Sequence, residues 1–257
     1  MDNGATYTNA WTVSLHAEAT SSPVLGPDGN IIVCDDSGYV YSVSASGSTN
    51  WTLATGEVLG INSSPAIVSD GTAYVGTESG KLLAIKDNAI VWSWALPDTA
   101  RAAITSSPVI GTDGHIYFMA ENGRMYNVNP GTRDIEPGWP KLITNNFAVT
   151  GTMVVFQGGF YVVDDDEFFY SVDPSGNVVW SMELVPPLRR SAPRAHAMSY
   201  EDQASPVIDQ YGIIYVATQS GLFAICGPAT NRGLAATDWP MFHHDVRHSG
   251  KFGARRR

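Results

Sequence analysis

The chain has few cysteines, few charged side chains and no long apolar run. Its two cysteines, Cys34 and Cys226, form neither a CxxC pair nor the Cys/His spacing of a zinc site. Charged residues make up 16% of the 257 positions and the net charge is −10, with no basic stripe to follow a nucleic-acid backbone. No apolar run approaches the ~20 residues that span a bilayer. We therefore expect neither a nucleic-acid partner nor membrane insertion.

Common catalytic and targeting motifs are missing as well. The sequence has no P-loop, no Ser-His-Asp motif and no GxGxxG motif after a strand. Residues 1–4 do not have the charged and apolar regions of a signal peptide. Residues 255–257 are three arginines, and a short basic end of this kind is typically solvated.

The sequence does contain a repeat. A Ser-Pro pair followed by Val or Ala recurs, with one degenerate copy, at spacings of 42, 43, 45 and 53 residues. The copies begin at Ser22, Ser64, Ser107, Thr152 and Ser205. Repetition at about 40 residues is typical of propeller blades.

Each copy continues with a turn glycine, an apolar run, a second turn, a second apolar run and a tryptophan. The first-turn glycines are Gly29, Gly71, Gly114, Gly159 and Gly212. The second-turn residues are Gly38, Gly80, Gly123, Glu167 and Gly221. One large residue recurs in the second run, as Tyr41, Leu83, Tyr126, Tyr170 and Phe223.

Short apolar runs bounded by glycine and polar residues predict β-strands, and connections this short make neighbouring strands pair antiparallel. We therefore predict an all-β fold, a β-propeller of about five four-stranded antiparallel blades in a single domain. The predicted repeats cover approximately residues 12–52, 53–94, 95–140, 141–182 and 183–241, with a closing segment and tail at 242–257. Six blades or part of a larger ring are alternatives, and the latter predicts an exposed apolar blade edge and self-association.

The recurring tryptophans predict a packing role. A large aromatic ring at one place in each blade can wedge against the next blade and bury a large area. We expect this structural role for Trp11, Trp51, Trp92, Trp139, Trp180 and Trp239.

Residues 76–85, Gly-Thr-Glu-Ser-Gly-Lys-Leu-Leu-Ala-Ile, followed by Trp92, resemble the PQQ-like repeat of the quinoprotein-like β-propellers. Residues 239–250 look like a segment common at the ends of such proteins, and the resemblance covers about residues 11–250. The family contains quinone-dependent dehydrogenases, with an adjacent Cys-Cys pair and calcium-ligating carboxylates, and cofactor-free members. This chain has no adjacent cysteines and about five repeats, so the resemblance implies a cofactor-free member outside the cytoplasm, periplasmic or secreted.

The segment 186–204 is the largest departure from the repeat and predicts a binding loop on one face of the disc. It carries side chains suited to an anionic ligand such as a carboxylated sugar: Arg189, Arg190, Arg194, His196 and Tyr200. An alternative is a lyase-like acid/base site using Arg190, His196 and Tyr200. An inert surface loop is the third interpretation.

Three other groups are weaker candidates. Asp164, Asp165 and Asp166 could bind calcium, although a solvated acidic turn is the preferred interpretation. The histidines at 243, 244 and 248 are interpreted as part of a structural closing segment. Cys34 and Cys226 lie in the first and last copies, where a disulfide is conceivable but two buried free thiols are preferred.

These observations predict a monomeric, non-catalytic scaffold propeller that presents loops on one face to a protein or extracellular glycan, with no cofactor. A polysaccharide-acting, lyase-like enzyme is the alternative, and a quinone-dependent oxidoreductase is the weakest of the three.

Overall fold

A computed structural model describes residues 10–97, 102–145, 151–184, 205–209, 211–218, 220–226 and 234–241. All regular secondary structure in these ranges is β-strand. Within them, no helix is long and apolar enough to cross a membrane.

The strands form five antiparallel sheets in chain order, each a blade. Blade 1 consists of β1 Val24–Leu25, β2 Ile31–Cys34, β3 Tyr39–Val43 and β4 Thr49–Ala54. Blade 2 consists of β5 Ala66–Ile67, β6 Ala73–Gly76, β7 Lys81–Lys86 and β8 Ala89–Ala95. Blade 3 consists of β9 Val109–Ile110, β10 Ile116–Met119, β11 Arg124–Asn129, β12 Asp134–Ile135 and a fifth strand, β13 Lys141–Leu142, which also pairs with β11.

Blade 4 consists of β14 Val154–Phe156, β15 Gly159–Val163, β16 Phe168–Val172 and β17 Val178–Glu183. Blade 5 consists of β18 Val207–Ile208, β19 Ile213–Thr218 and β20 Gly221–Cys226. The prediction of an all-β propeller of about five antiparallel blades is confirmed. The fifth blade differs in having three strands among the described residues, because the segment around Trp239 lies elsewhere.

The turn between the second and third strands requires a left-handed backbone, which explains its repeated glycine. Gly38, Gly80 and Gly123 have φ of 76°, 77° and 71°, and Glu167 takes the same conformation at φ 62°. A Cβ added to Gly38 would lie 2.1 Å from the carbonyl oxygen of Glu57, so the next connection passes directly over this turn.

Each blade has a forward face, which packs on the next blade in sequence, and a rear face, which packs on the preceding one. Trp94 of blade 2 projects from the forward face onto the rings of Phe118 and Tyr126 in blade 3, at centroid distances of 6.1 and 5.8 Å. Tyr117 of blade 3 contacts Phe160 of blade 4 at 4.5 Å. The hydrophobic core therefore lies between blades and not in one central cluster.

Serines of the repeated Ser-Ser-Pro motif link the inner strands, which are the first strands of the blades. The amide of Ser22 donates to the hydroxyl of Ser64, and the amide of Ser64 donates to the hydroxyl of Ser107, both at 2.8 Å. Thr152 and Ser205 repeat the contact between blades 4 and 5 at 3.0 Å. The residue before Ser64, Ser63, bonds both the amide and the carbonyl of Gly76 in its own blade. This motif thus fixes the inner strands of blades 1 to 3 within their own blades, and it joins blade 1 to 2, blade 2 to 3 and blade 4 to 5.

The segment 234–241 runs across the inner strands of blades 3 and 4. The amide of Ile110 donates to the carbonyl of Trp239, and the amide of Val155 donates to the carbonyl of Pro240, both at 2.7 Å. The Trp239 ring is buried in the core shared by blades 1 to 3. The segment satisfies strand edges that face the propeller centre, which is why Trp239 does not occupy an outer strand as the repeat suggested.

Candidate protein-interaction face

The loop face is the end of the propeller that carries the turns between second and third strands together with the connections between blades. Both lie at the same end because strand direction alternates within each meander. The connection from blade 1 to blade 2, residues 55–63, carries two strongly exposed apolar side chains there. Val58 is 87% exposed and Leu59 is 64% exposed.

Buried contacts of the residues that flank Val58 and Leu59 hold this connection in one conformation. The Glu57 carboxylate is buried and accepts hydrogen bonds from the Lys81 ammonium at 2.8 Å and from the Ser79 hydroxyl. Ile61 is fully buried, and the amide of Gly60 donates to the Glu57 carbonyl at 3.2 Å. Two apolar side chains are therefore presented to solvent on a loop whose flanks are fixed, which lowers the entropy cost of binding through them.

Carboxylates occupy one equivalent position in three successive blades of the loop face. The amides of Asp36, Glu78 and Glu121 each donate to the preceding connection, at 2.9, 3.3 and 3.0 Å respectively. Burial raises the pKa of Glu78, the charge of Glu121 raises it further, the hydrogen bond from Asn62 opposes this, and the charge of Asp36 adds to the increase. These three acids share one electrostatic environment, so their part of the loop face is acidic.

Polar side chains of two connections tie the acids together. The Thr20 hydroxyl lies 2.9 Å from a carboxylate oxygen of Asp36 and 3.0 Å from the Asn62 amide oxygen. The Asn62 nitrogen donates to Glu78 at 2.8 Å. Asp36 and Glu78 consequently have defined positions, and the backbone of each contacts Gly60, the residue after Leu59.

The predicted binding loop at 186–204 lies outside the described residues, and so do Arg189, Arg190, Arg194, His196 and Tyr200. The two described residues nearest to it, Leu184 and Ser205, both lie at the loop face. Leu184 bonds the second turn of blade 4 and Ser205 bonds Thr152. The histidines at 243, 244 and 248 are likewise outside the described residues.

The Asp164 carboxylate is buried and is hydrogen-bonded by neighbouring groups of the protein. It accepts hydrogen bonds from the Tyr170 hydroxyl and the Thr144 hydroxyl, both at 2.8 Å, and from the Phe168 amide at 2.9 Å. Across the described ranges, no three His, Cys, Asp or Glu side chains converge in a way that could hold a metal ion.

Sequence reasoning missed a His-Tyr-Asp arrangement on the rear face of blade 1. The Tyr41 hydroxyl donates to Asp35 at 2.6 Å and lies 2.7 Å from His16 Nδ1. Burial and the bond to Asp35 raise the pKa of Tyr41 to about 12, so its proton stays bound at neutral pH. Asp164 and Tyr170 repeat the pair in blade 4, which marks it as a blade-stabilising device. The signal available in the sequence was an Asp six residues before the recurring Tyr.

The tryptophans occupy different environments. Trp51 and Trp92 are half-buried against the core of blades 1 to 3, and Trp180 against that of blades 4 and 5. Trp139 packs over Gly176 of the next blade, where an added Cβ would lie 2.6 Å from the ring. Trp11 packs on Gly47 of blade 1 and donates its indole N–H to the Ala45 carbonyl at 3.0 Å.

The two cysteines are free thiols. Cys34 is buried on the forward face of blade 1, where burial raises its pKa, and therefore points toward blade 2 and away from blade 5. Cys226 is exposed on β20, which corrects the expectation that both thiols are buried.

Comparisons with known proteins agree with this architecture. A family model described as outer membrane protein assembly factor BamB matches residues 3–182. A crystal structure of BamB from Moraxella catarrhalis superposes with a TM-score of 0.58 at 18% identity, covering 86% of this chain and 64% of that one. This chain thus spans less than two thirds of the length of that structure. A comparison with curated protein sequences gives no match.

Repeated four-stranded blades, serine-linked inner strands and forward-to-rear packing define a β-propeller of the PQQ-like repeat class. The match over residues 3–182 makes the assignment specific. The chain belongs to the family described as outer membrane protein assembly factor BamB.

Proposed function

We propose that this chain is a non-catalytic scaffold that acts outside the cytoplasm and binds a protein partner through its loop face. The observation that carries the proposal is the pair Val58 and Leu59, which are 87% and 64% exposed on a connection fixed by the ion pair between the buried Glu57 carboxylate and the partly exposed Lys81 ammonium. Exposed apolar side chains on a preformed loop favour association with an apolar pocket.

The acidic side chains of the same face indicate the chemistry of the partner. Asp36, Glu78 and Glu121 would face a surface whose apolar pocket is bordered by Lys or Arg, because charge complementarity speeds encounter and selects partners. The segment 186–204 is proposed to add contacts on the same face through Arg189, Arg190, Arg194, His196 and Tyr200. The family's description as an assembly factor supports a protein partner over a glycan.

The test replaces both apolar side chains, Val58→Glu and Leu59→Glu, and measures capture of proteins from an envelope extract of the source organism. The protein that wild type enriches is then purified for direct binding measurement. We expect the double variant to lose at least about tenfold in affinity, since each buried apolar side chain contributes about 1.5–3 kcal/mol.

The matched control is Val179→Glu, which places the same charge at an exposed valine on the outer strand of blade 4. Equal binding by wild type, control and double variant would contradict the loop-face proposal. A variant in which 186–204 is shortened to a repeat-like turn measures how much that segment contributes to the binding affinity. Turnover of a uronate-containing polysaccharide that is lost in His196→Ala would overturn the non-catalytic assignment.

A further inference from the structure

The forward face of blade 5 is exposed, whereas its counterparts in the other blades are buried. Tyr215 of blade 5 is 36% exposed, and the tyrosines at the same register position are at most 5% exposed: Tyr74, Tyr117 and Tyr161. Leu222 is 75% exposed, and its register equivalents are fully buried: Val40, Leu82, Met125 and Phe169. This surface has the composition of an inter-blade interface, but none of the residues that the structure describes covers it.

Blade 5 also ends one strand early within the described part of the chain. In blades 1, 2 and 4 the third strand pairs with a long outer strand, whereas β20 forms the edge of its sheet. An exposed edge strand with free backbone groups is a template for another strand.

The segment before blade 1 carries the sequence that an outer strand requires. Residues 11–14, Trp-Thr-Val-Ser, match the outer strands at 51–54, Trp-Thr-Leu-Ala, at 92–95, Trp-Ser-Trp-Ala, and at 180–183, Trp-Ser-Met-Glu. Residues 11–14 are themselves described but belong to no strand. The described part of the chain thus contains one blade for which it shows no outer strand, and one outer-strand sequence that belongs to no blade.

This N-terminal segment already occupies the place of a preceding blade on blade 1. Trp11 packs on Gly47 in the same way as Trp139 of blade 3 packs on Gly176 of blade 4. The amide of Asp36 donates to the Glu18 carbonyl, as Glu78 donates to Gly60 in the next repeat. The segment is therefore positioned to join a fifth blade on its other side.

We propose that the forward face of blade 5 and the edge of β20 bind the N-terminal segment and the rear face of blade 1 of a second copy of this chain. The contact continues the forward-to-rear packing of the four inter-blade interfaces. The amide of Ser205 in one copy would donate to the Ser22 hydroxyl of the next, extending the serine series. Val58 and Leu59 belong to neither of these two contacting surfaces, so neither proposal depends on the other.

A forward-to-rear contact is heterologous, and its two halves are different surfaces. In such a contact the forward face of one terminal copy and the rear face of the other stay available, so assembly grows with concentration unless the ring closes. The monomer expected from the sequence would then be the form present at low concentration.

The first test measures mass by sedimentation against protein concentration. The wild-type mass is expected to rise to at least twice the single-chain value, and Leu222→Glu is expected to stay at the single-chain mass. The Val58→Glu, Leu59→Glu double variant serves as the control, which should associate as wild type does, while Leu222→Glu should still bind the loop-face partner. A wild type that stays monomeric at all concentrations would refute the proposal.

A complementation test examines the two contacting surfaces separately: the donor end is the N-terminal segment with blade 1, and the acceptor end is the forward face of blade 5. Trp11→Glu should damage the donor end and Leu222→Glu the acceptor end, so each variant alone should be monomeric. An equimolar mixture should form a two-chain complex and nothing larger, since one intact end of each kind remains. A mixture that stays monomeric, or a single variant that still associates, would contradict head-to-tail contact.

The exposed thiol of Cys226 provides a footprint on the same face, because Cys34 is buried. The rate of maleimide labelling should fall as wild-type concentration rises and stay constant in Leu222→Glu. Protection that is independent of concentration and removed by Trp11→Glu would mean that the chain's own N-terminal segment covers blade 5, which would overturn the second-copy proposal.

Discussion

At the scale of single residues, two tryptophans on one strand serve different contacts. Trp94 is buried, reaches the rings of blade 3 and donates its indole N–H to Asp134 at 3.2 Å. Trp92 lies on the same face but is half-buried, and its ring contacts Tyr74 of its own blade at 5.7 Å. The repeat marks Trp92, whereas the side chain that joins blades 2 and 3 is Trp94.

Trp94→Ala should therefore lower the free energy of unfolding by about 3–5 kcal/mol, the usual cost of removing a buried large aromatic ring. Trp92→Ala should cost clearly less, because part of its ring is already in contact with water. Equilibrium denaturation in urea measures both. Equal losses for the two variants would contradict the assignment of Trp94 as the inter-blade residue.

The environment of Glu78 makes stability depend on pH. Since burial and the nearby acids raise its pKa in the folded chain, ionisation is harder there than in the unfolded chain. The free energy of unfolding therefore falls as the pH rises from the ordinary glutamate pKa of about 4.3 through the raised folded value.

Glu78→Gln removes this dependence, and we expect the variant to be more stable than wild type at pH 7 and close to it near pH 4. Urea melts at the two pH values measure the difference. Glu183→Gln on the exposed outer strand β17 is the control. A stability change of the same size at both pH values would mean that the effect of Glu78 is not electrostatic.

At the scale of elements, hydrogen bonds join the inner strands of successive blades. In each bond, a backbone amide of one blade donates to a serine hydroxyl of the next blade. The Ser107 hydroxyl satisfies the buried amide of Ser64 in the preceding blade. Because a buried amide without a partner loses its hydration without compensation, this serine has a strand-positioning role beyond its own blade.

Ser107→Ala should reduce the free energy of unfolding by about 1–3 kcal/mol, the cost of one unsatisfied buried amide. The control is Ser22→Ala at the same repeat position of blade 1, studied at low concentration. Within the described residues, its hydroxyl accepts no bond from a preceding blade. Similar losses in the two variants would show that the serine contributes only to its own strand.

The second turns of blades 2 and 5 are held by carboxylates from different elements. Glu57 reaches Ser79 from the connection between blades, whereas Glu167 reaches Ser220 from the turn of the preceding blade and accepts its amide at 2.8 Å. The same interaction is thus obtained from two unrelated sequence positions, and Glu167 makes it from the turn position where blades 1 to 3 and 5 have glycine.

At the scale of the whole molecule, five blades pack in sequence, and the row ends at two unlike surfaces. The rear face of blade 1 is partly covered by the N-terminal segment, in which His16 stacks on Tyr39 at 4.0 Å. The forward face of blade 5 carries exposed Tyr215 and Leu222. The alternative of a larger ring had predicted such an exposed apolar face. Ring closure depends on the angle between successive blades, which no short sequence pattern encodes.

The candidate interaction face was only partly accessible to sequence reasoning. The pattern indicated that connections between blades lie on one face and singled out the long segment 186–204. It did not single out Val58 and Leu59, although an apolar pair between Gly56 and Gly60 in a connection is an available signal. Their exposure follows from Glu57 and Ile61, which turn inward to partners in the next blade.

The sequence by itself determined the repeated blades and their turns, because strand periodicity and the left-handed turn positions are local properties. It also determined family membership through the repeated pattern. Only the tertiary structure decided that Trp239 crosses the inner strands, that Trp94 joins two blades, and that the face of blade 5 stays open. Each of these depends on contacts between segments far apart in the chain, where the geometry of the whole arrangement selects one partner among several compatible ones.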